Sequence, residues 1–226
     1  MSKKTNKELI KKEKFKDDNT LQIKLSNEQI DAISKLKNST LSLIIGSYGT
    51  GKTLTAIYYA LQELLKGRIE KIYISRPAVC QKEEEMGFLP GDISEKMSPY
   101  LMPIISNMYR CIPKAKIDIW LKDNVIEMLP LQYLKGVTYQ EKSIAIIDEI
   151  QNSSLSSTKN IISRIGLDSQ LILCGDIKQM DIKEKDSGMN LLYKFKDEDF
   201  TTIELTENHR HPIIERFTNY LNDTKI

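Results

Sequence analysis

Short apolar runs recur along the chain at the spacing expected for the strands of an α/β protein. Each is a few residues long, is rich in Ile and Leu, and is bounded by polar or glycine-containing segments. Such runs are typical of strands that are buried on both faces of a sheet. The predicted strands lie at 41–45, 71–75, 143–148, 171–174 and 203–205.

Helical spacing of apolar residues fills the intervals between these strands. Ser26 and Gln29 form a capping-box pattern, and Ile30 and Ile33 follow at helical spacing. The other predicted helices lie at 52–65, 156–165 and 212–222. Strands that alternate with helices indicate an α/β fold, in which a parallel sheet is sandwiched by helices.

Two stretches depart from this alternation. Residues 1–20 form a polar run of Lys, Asp and Glu, which predicts a flexible N-terminal tail of mixed charge. Prolines punctuate residues 77–130, which we interpret as an insertion of short helical segments packed on the core. We therefore expect a single domain over 21–226 that carries this proline-rich insertion.

The charge balance narrows the class of partners. The 33 Lys and Arg residues face 31 Asp and Glu residues, so the formal net charge is only +2, which argues against a protein that coats DNA. Arginine is rare among the basic residues, so an arginine inside a motif is a candidate functional residue. Arg68, Arg110 and Arg216 lie outside any motif and are assigned to the solvated surface.

Membrane and secretory features are not recognisable in the sequence. No run reaches the roughly 18 apolar residues that span a bilayer, and residues 1–16 lack the apolar stretch of a secretory signal. Cys80, Cys111 and Cys174 are scattered, which predicts neither a disulfide framework nor a zinc site. We expect reduced cysteines, a cytoplasmic location and no membrane contact.

The residues after the first strand carry the clearest chemical signal. They match the pattern GxxxxGK[ST], with a strand before the pattern and a helix after it. In this loop the backbone N–H groups and the helix N-terminus hold phosphates, the lysine bridges the β- and γ-phosphates, and the threonine hydroxyl binds Mg²⁺. The loop residues are Gly46, Ser47, Tyr48, Gly49, Thr50, Gly51, Lys52 and Thr53.

Two later strand ends supply the acidic and amide groups that a nucleotide site needs. The run 144–147 ends in Asp148 and Glu149, where the aspartate can hold the Mg²⁺ shell and the glutamate can polarise water. The run 171–174 leads to Gly175 and Asp176 and then to Gln179. If the two strands are neighbours, Gln179 can sense the γ-phosphate.

These blocks together resemble known families of ATPases. The spacing of the glutamine at 29, the loop and the two acidic strand ends is similar to that of superfamily 1 helicases. The chain more specifically resembles the PhoH family, described as phosphate-starvation-inducible ATPases, from about residue 25 to the C-terminus. The blocks that carry this resemblance are 75–79, 86–92, 95–104, 130–136, 148–152, 164–166 and 210–212.

The resemblance implies a single RecA-like P-loop core that uses ATP and Mg²⁺, is connected with RNA or single-stranded nucleic acid, and forms ring-like homo-oligomers. By the same resemblance Gln29 reads adenine, Arg76 contacts nucleotide or nucleic acid, and Arg210 contacts the γ-phosphate from its own or a neighbouring chain. Ser47 and Tyr48 replace residues common in the family, at positions without a chemical role for the side chain.

Three functions are compatible with these residues. The first is an Mg²⁺-dependent ATPase that remodels RNA, with Lys52, Asp148, Glu149, Gln179 and Arg210 as the catalytic set. The second is a nucleotide-gated binding module that hydrolyses slowly and switches a partner such as a ribonuclease. The third, a small-molecule kinase, is disfavoured because adjacent Asp and Glu residues favour attack by water.

Overall fold

The computed structural model describes residues 21–77, 93–134, 138–177, 179, 187–213, 216–217 and 220. The predicted N-terminal tail at 1–20, the end of the block 75–79 and the whole block 86–92 lie outside the described residues. Within the described residues, no helix combines the length and the apolar character needed to cross a bilayer.

A six-stranded sheet of parallel strands forms the centre of the molecule, in the order β3-β2-β4-β5-β1-β6. The strands are β1 Leu41–Gly46, β2 Lys71–Ser75, β3 Ile126–Met128, β4 Ser143–Ile147, β5 Gln170–Gly175 and β6 Phe200–Leu205. β4 and β5 are neighbours, and β1 lies between β5 and β6. All carboxyl ends of the strands therefore face the same edge of the sheet.

Helices connect these strands and cover the sheet. They are α1 Asn27–Leu36, α2 Lys52–Leu65, α3 Ile93–Cys111, α4 Lys114–Lys122, α5 Leu131–Leu134, α6 Leu155–Ile162 and α7 Met189–Lys194, with a 3₁₀ turn at Ile150–Asn152. The described residues of the predicted C-terminal helix, at 212–213, 216–217 and 220, are helical.

The core lies on both faces of the sheet, which explains why the strands are continuous apolar runs. Ile44 and Ile146 face one cluster, which includes residues of α1, α2 and α3. Ile45 and Ile147 face the other, which includes Met189 of α7. The predicted α/β fold with a parallel, helix-covered sheet is confirmed.

The described part of the region 77–130 differs in part from the short helical segments that the sequence predicts. Besides the short helix α4, it holds the long helix α3, which runs through Pro99 and Pro103, and the edge strand β3. Leu101, Ile104 and Met108 are buried at helical spacing, so packing against the core supports the helix despite its prolines. β3 has only three residues, too few for a recognisable pattern, and α7 was likewise not predicted.

Candidate nucleotide site

The loop between β1 and α2 adopts the turn that the glycine pattern requires. Gly49 and Gly51 have φ angles of +76° and +82°, in the left-handed region that glycine enters at little cost. A Cβ atom on Gly49 would come within 2.7 Å of the Arg210 Cγ. Glycine at this position therefore permits both the turn and the close approach of the segment that carries Arg210.

Two polar side chains of the loop, those of Lys52 and Thr50, are turned towards its own backbone. The Lys52 ammonium donates to the carbonyl oxygens of Gly46 and Ser47, at 2.8 and 3.0 Å. The Thr50 hydroxyl donates to the carbonyl of Ser47 at 2.9 Å. Tyr48 is exposed at the rim of the loop. The lysine ammonium thus lies within the turn, where it can meet a phosphate.

Thr53 and Asp148 join the first turn of α2 to the end of β4. The Thr53 hydroxyl donates to Asp148 Oδ1 at 2.7 Å, across 95 positions of sequence. Burial raises the pKa of Asp148, and the Glu149 charge adds to this, while the Thr53 hydrogen bond and the Arg76 and Lys52 charges oppose it. The Thr53 hydroxyl and the buried Asp148 carboxylate are therefore in contact at the edge of the sheet.

Glu149 is held from two sides. Its Oε1 forms an ion pair with Arg76 Nη2 at 3.1 Å, and its Oε2 accepts from Gln151 Nε2 at 2.6 Å. The backbone of Glu149 has a φ of +55°, unusual for a non-glycine residue. This conformation and these two partners fix the direction of the carboxylate.

Gln151 also belongs to the site, although the motif at 148–152 predicts no role for it. It is fully buried, its Oε1 accepts from the Asp176 N–H at 3.2 Å, and its Nε2 also donates to the Gln179 carbonyl at 3.3 Å. The Gln179 amide in turn donates to the Asp176 carboxylate. These hydrogen bonds connect the ends of β4 and β5.

Gln29 links α1 to the loop. Its Oε1 accepts from the Ser26 N–H at 3.1 Å within the capping box, which confirms that helix start. Its Nε2 donates to the Thr50 carbonyl at 3.5 Å. Gln29 is buried, and its amide both caps the helix and contacts the loop.

The segment after β6 reaches the loop through α1. The Glu28 carboxylate accepts from the Thr206 N–H and hydroxyl, both at 2.8 Å, and from the Glu207 N–H at 3.0 Å. Although burial raises the pKa of Glu28, these hydrogen bonds lower it below its ordinary value. The His209 N–H donates to the Gly49 carbonyl at 3.0 Å. Arg210 therefore lies beside the loop of its own chain.

These groups surround one cavity of about 620 Å³, a size typical of small-molecule sites. The predicted site residues that line it are Gln29, Tyr48, Gly49, Gly51, Lys52, Thr53, Glu149, Gln179 and Arg210. Gly46, Ser47, Thr50, Arg76 and Asp148 contact these lining residues instead. Ile23, Leu25, Asn107 and Arg110 also line the cavity, and the sequence analysis assigned none of them to it.

The oxygen atoms at the cavity fit a magnesium ion. Among the described residues, no three His, Cys, Asp or Glu side chains converge as a metal site. Thr53 and Asp148 supply two hard oxygen ligands, and Mg²⁺ in nucleotide sites takes its remaining ligands from phosphates and water. The protein groups present are therefore those expected for a metal held jointly with a nucleotide.

Comparisons with known proteins agree with this geometry. The family model described as PhoH-like protein matches residues 22–222. The PhoH-like protein of Bacillus subtilis is 34% identical over 193 residues, which are 83% of this chain and 60% of that protein. Protein PhoH of Escherichia coli is 31% identical over 156 residues, which are 68% of this chain and 44% of that protein. The chain thus spans less than two thirds of these relatives.

Solved structures place the fold among the RecA-like P-loop proteins. The Pyrococcus furiosus Hef helicase domain superposes with a TM-score of 0.52 at 13% identity, over 87% of this chain and 41% of that one. The match to the family model over most of the chain and the identity to these relatives together show that the chain belongs to the PhoH-like protein family.

Proposed function

We propose that this chain binds Mg·ATP in the cavity beside the loop, hydrolyses it and couples hydrolysis to remodelling of RNA or single-stranded nucleic acid, which in turn controls the rate. The observation that carries the proposal is the 2.7 Å hydrogen bond between Thr53 and Asp148. It brings the hydroxyl of the phosphate-binding loop and the strand-end carboxylate together, as coordination of one metal ion requires.

The loop residues Gly46 to Thr53 hold the phosphates, and the Lys52 ammonium offsets their charge. Thr53 and Asp148 hold the Mg²⁺, which, when bound, supplies positive charge that stabilises the phosphoryl group in transfer. Gln29 lines the cavity, and its amide uses only one hydrogen for the Thr50 carbonyl. The second hydrogen is available for the adenine.

Glu149 lines the same cavity as the loop residues, and in this proposal it orients and polarises the attacking water. Gln179 and Arg210 report on the γ-phosphate. The stem of Arg210 lies against Gly49 of its own chain, which favours action within the chain rather than on a neighbouring subunit. Mixing inactive Arg210→Ala chains with inactive Lys52→Ala chains distinguishes the two, because only action on a neighbour lets an intact loop and an intact arginine meet in a mixed assembly and restore turnover.

Control by nucleic acid follows from the ion pair between Arg76 and Glu149. A backbone phosphate that binds Arg76 competes with the Glu149 carboxylate for the same guanidinium. Binding at Arg76 would then change how Glu149 is held and therefore the rate of hydrolysis. We expect the ratio of rates with and without single-stranded RNA to fall to one in Arg76→Ala.

A second function, the nucleotide-gated module with slow hydrolysis, is favoured by the same carboxylate. The Glu149 carboxylate already accepts hydrogen bonds from Arg76 and Gln151, which leaves fewer of its lone pairs for a water molecule and is compatible with slow hydrolysis. In this alternative the bound nucleotide sets the conformation that a partner such as a ribonuclease recognises.

ATP turnover with and without single-stranded RNA separates the two functions. Stimulation of several-fold supports the RNA-dependent ATPase, and a slow rate without response supports the gated module. Lys52→Ala should lose nucleotide binding. Glu149→Gln should keep binding and lose about 10²-fold or more in kcat, which is typical for removal of a general base. Full turnover in either variant contradicts the proposed site.

The proposal also includes a homo-oligomeric ring and a cytoplasmic location, both expected from the sequence. Measurement of the native mass with and without ATP tests the ring. A mass of a single chain under both conditions would contradict it.

A further inference from the structure

The cavity extends well beyond the groups that hold phosphates. At one end lie the loop and the strand-end residues Glu149 and Gln179. Ile23 and Leu25 also line it, in the segment that leads to Gln29, as do Asn107 and Arg110 at the end of α3. The proposed function gives this second group no part in phosphate binding or in hydrolysis.

The segment before α1 and the last turn of α3 are fixed to each other. The Gln22 N–H donates to the Cys111 carbonyl at 2.9 Å. Ile23 and Arg110 are the sequence neighbours of these two residues and are therefore close to each other. Ile23 and Leu25 pack against the core and are only partly buried, which leaves apolar surface towards the cavity. The wall next to Gln29 therefore combines the apolar Ile23 and Leu25 with two cations, Lys24 from the same segment and Arg110 from α3.

Arg110 is free to act at this wall. Its Nη1 donates to Asn107 Oδ1 at 3.4 Å, and within the described part of the chain no carboxylate forms an ion pair with it. Arg110 lies in the last turn of α3, where the helix dipole favours any positively charged side chain. The dipole does not account for a planar guanidinium, since lysine would serve as well.

We propose that Arg110 is a nucleotide-binding residue that stacks on the base of the bound nucleotide, with Ile23 and Leu25 as the apolar part of the same subsite. This inference rests on the proposed nucleotide site. An aromatic base is a flat π-system, which a guanidinium recognises by stacking and by its cation–π attraction, and which apolar side chains desolvate. Arg110 thus recognises the nucleoside and leaves the phosphates to the loop.

Calorimetric titration with Mg·ADP and with Mg·pyrophosphate tests the assignment without turnover. In Arg110→Ala we expect the Kd for ADP to rise about five- to tenfold, and the Kd for pyrophosphate to stay within about twofold. Arg110→Lys keeps the charge and loses the flat guanidinium, so it should weaken ADP binding almost as much. Arg68→Ala is the control, because it removes the same charge away from the cavity. Arg68 forms an ion pair with Glu63, with 3.2 Å between Nε and Oε2.

Each other outcome overturns the inference. Equal weakening of ADP and pyrophosphate would place Arg110 on the phosphates. Full ADP affinity in Arg110→Lys would show that only the positive charge of the residue matters. Unchanged affinity in both variants would show that Arg110 does not contact the nucleotide. If the unaltered chain binds neither ligand, the proposed nucleotide site is wrong and the inference falls with it.

Discussion

Gly49 carries two separate constraints in one residue, and the chain offers a glycine that carries only one of them. Gly49 and Gly67 both have positive φ angles, +76° and +68°. A Cβ atom on Gly49 would lie 2.7 Å from the Arg210 Cγ and 2.7 Å from the Asn208 Oδ1, whereas nothing lies within 4 Å at Gly67. The two glycines therefore separate backbone strain from steric overlap.

We expect Gly67→Ala to lower the free energy of unfolding by about 1 kcal/mol, which is the cost of a left-handed alanine. Gly49→Ala should lose a further 1–3 kcal/mol or so from overlap, and it should also displace Arg210 and weaken nucleotide binding. Urea unfolding and ADP titration measure both effects. Equal losses in the two variants, with binding intact, would mean that the contact with Arg210 has no energetic weight.

Whether a site residue can be predicted from the sequence depends on how far along the chain its contact partners lie. Lys52 and Thr53 could be identified because the loop pattern is local and their spacing is fixed by the turn. Gln151 could not, because its partners at Asp176 and Gln179 lie 25 and 28 positions away. Arg110 reaches the cavity only through the packing of α3, which its own neighbours in sequence do not reveal.

The ends of β4 and β5 are joined by Gln151, and the start of β5 is held by a second glutamine. Gln151 serves Glu149, Asp176 and Gln179 at the edge that carries the site. Gln170 donates to the carbonyls of Leu36 and Ser39 at the opposite edge. The two glutamines have similar structural tasks, and only one of them touches a proposed catalytic group.

Replacement of each glutamine by methionine tests this difference. Both variants should lose about 1–3 kcal/mol of stability, because backbone groups that are buried at Gln151 and partly buried at Gln170 lose their partners while the volume is kept. Only Gln151→Met should also lower kcat, since Glu149 is then held by Arg76 alone, and KM for ATP should change little. An unchanged kcat relative to Gln170→Met would show that Glu149 needs no second partner.

The first turn of α1 positions the segment after β6 through Glu28. In Glu28→Gln one oxygen and the charge are lost, so Thr206 and Glu207 are held less firmly and stability should fall. Because the folded pKa of Glu28 is lowered, its contribution is complete above the unfolded value of about 4.5. That contribution is lost as the pH falls through the folded pKa.

Urea midpoints of the wild type and Glu28→Gln therefore should differ by a constant amount from about pH 5 to 7 and converge below about pH 4.5. A difference that persists unchanged at the lowest accessible pH would show that the loss is steric. Glu70→Gln is a suitable control, because Glu70 pairs with Lys142 at the solvent-exposed surface at 3.3 Å.

Elements were predictable where burial leaves a pattern. β1, β4 and β5 are buried on both faces and appear as apolar runs, so the sequence located them within a few residues. β6 begins with Phe200, Thr201 and Thr202, whose partial exposure concealed half of the strand. β3 is an edge strand of three residues, and only its pairing with β2 defines it.

The molecule as a whole concentrates its polar chemistry at one edge of the sheet. The strand order places β1 between β5 and β6, so the loop after β1 lies beside the ends of both strands. In open parallel sheets, ligands bind outside the carboxyl ends of the strands. Both apolar faces remain available for packing, and a ligand in the cavity would contact the segments that follow β1, β4, β5 and β6 together.

A ligand that bridges these elements should protect the whole fold, and two buried cysteines can report on it. Burial raises the pKa of Cys111 to about 11, against the opposing charge of Arg110, and raises that of Cys174 well above its ordinary value. A thiol reagent at pH 8 should therefore modify both only after unfolding, which mass spectrometry of digested protein can locate.

Saturating Mg·ADP should slow modification of both cysteines by the same factor, because binding to the folded state stabilises it by RT ln(1 + [L]/Kd). At a ligand concentration of 100 Kd the factor is about 100. Lys52→Ala should show no slowing, since it lacks the phosphate contact. Protection of Cys174 alone would mean that the ligand closes only a local opening at β5, and that the elements around the site do not unfold as one cooperative unit.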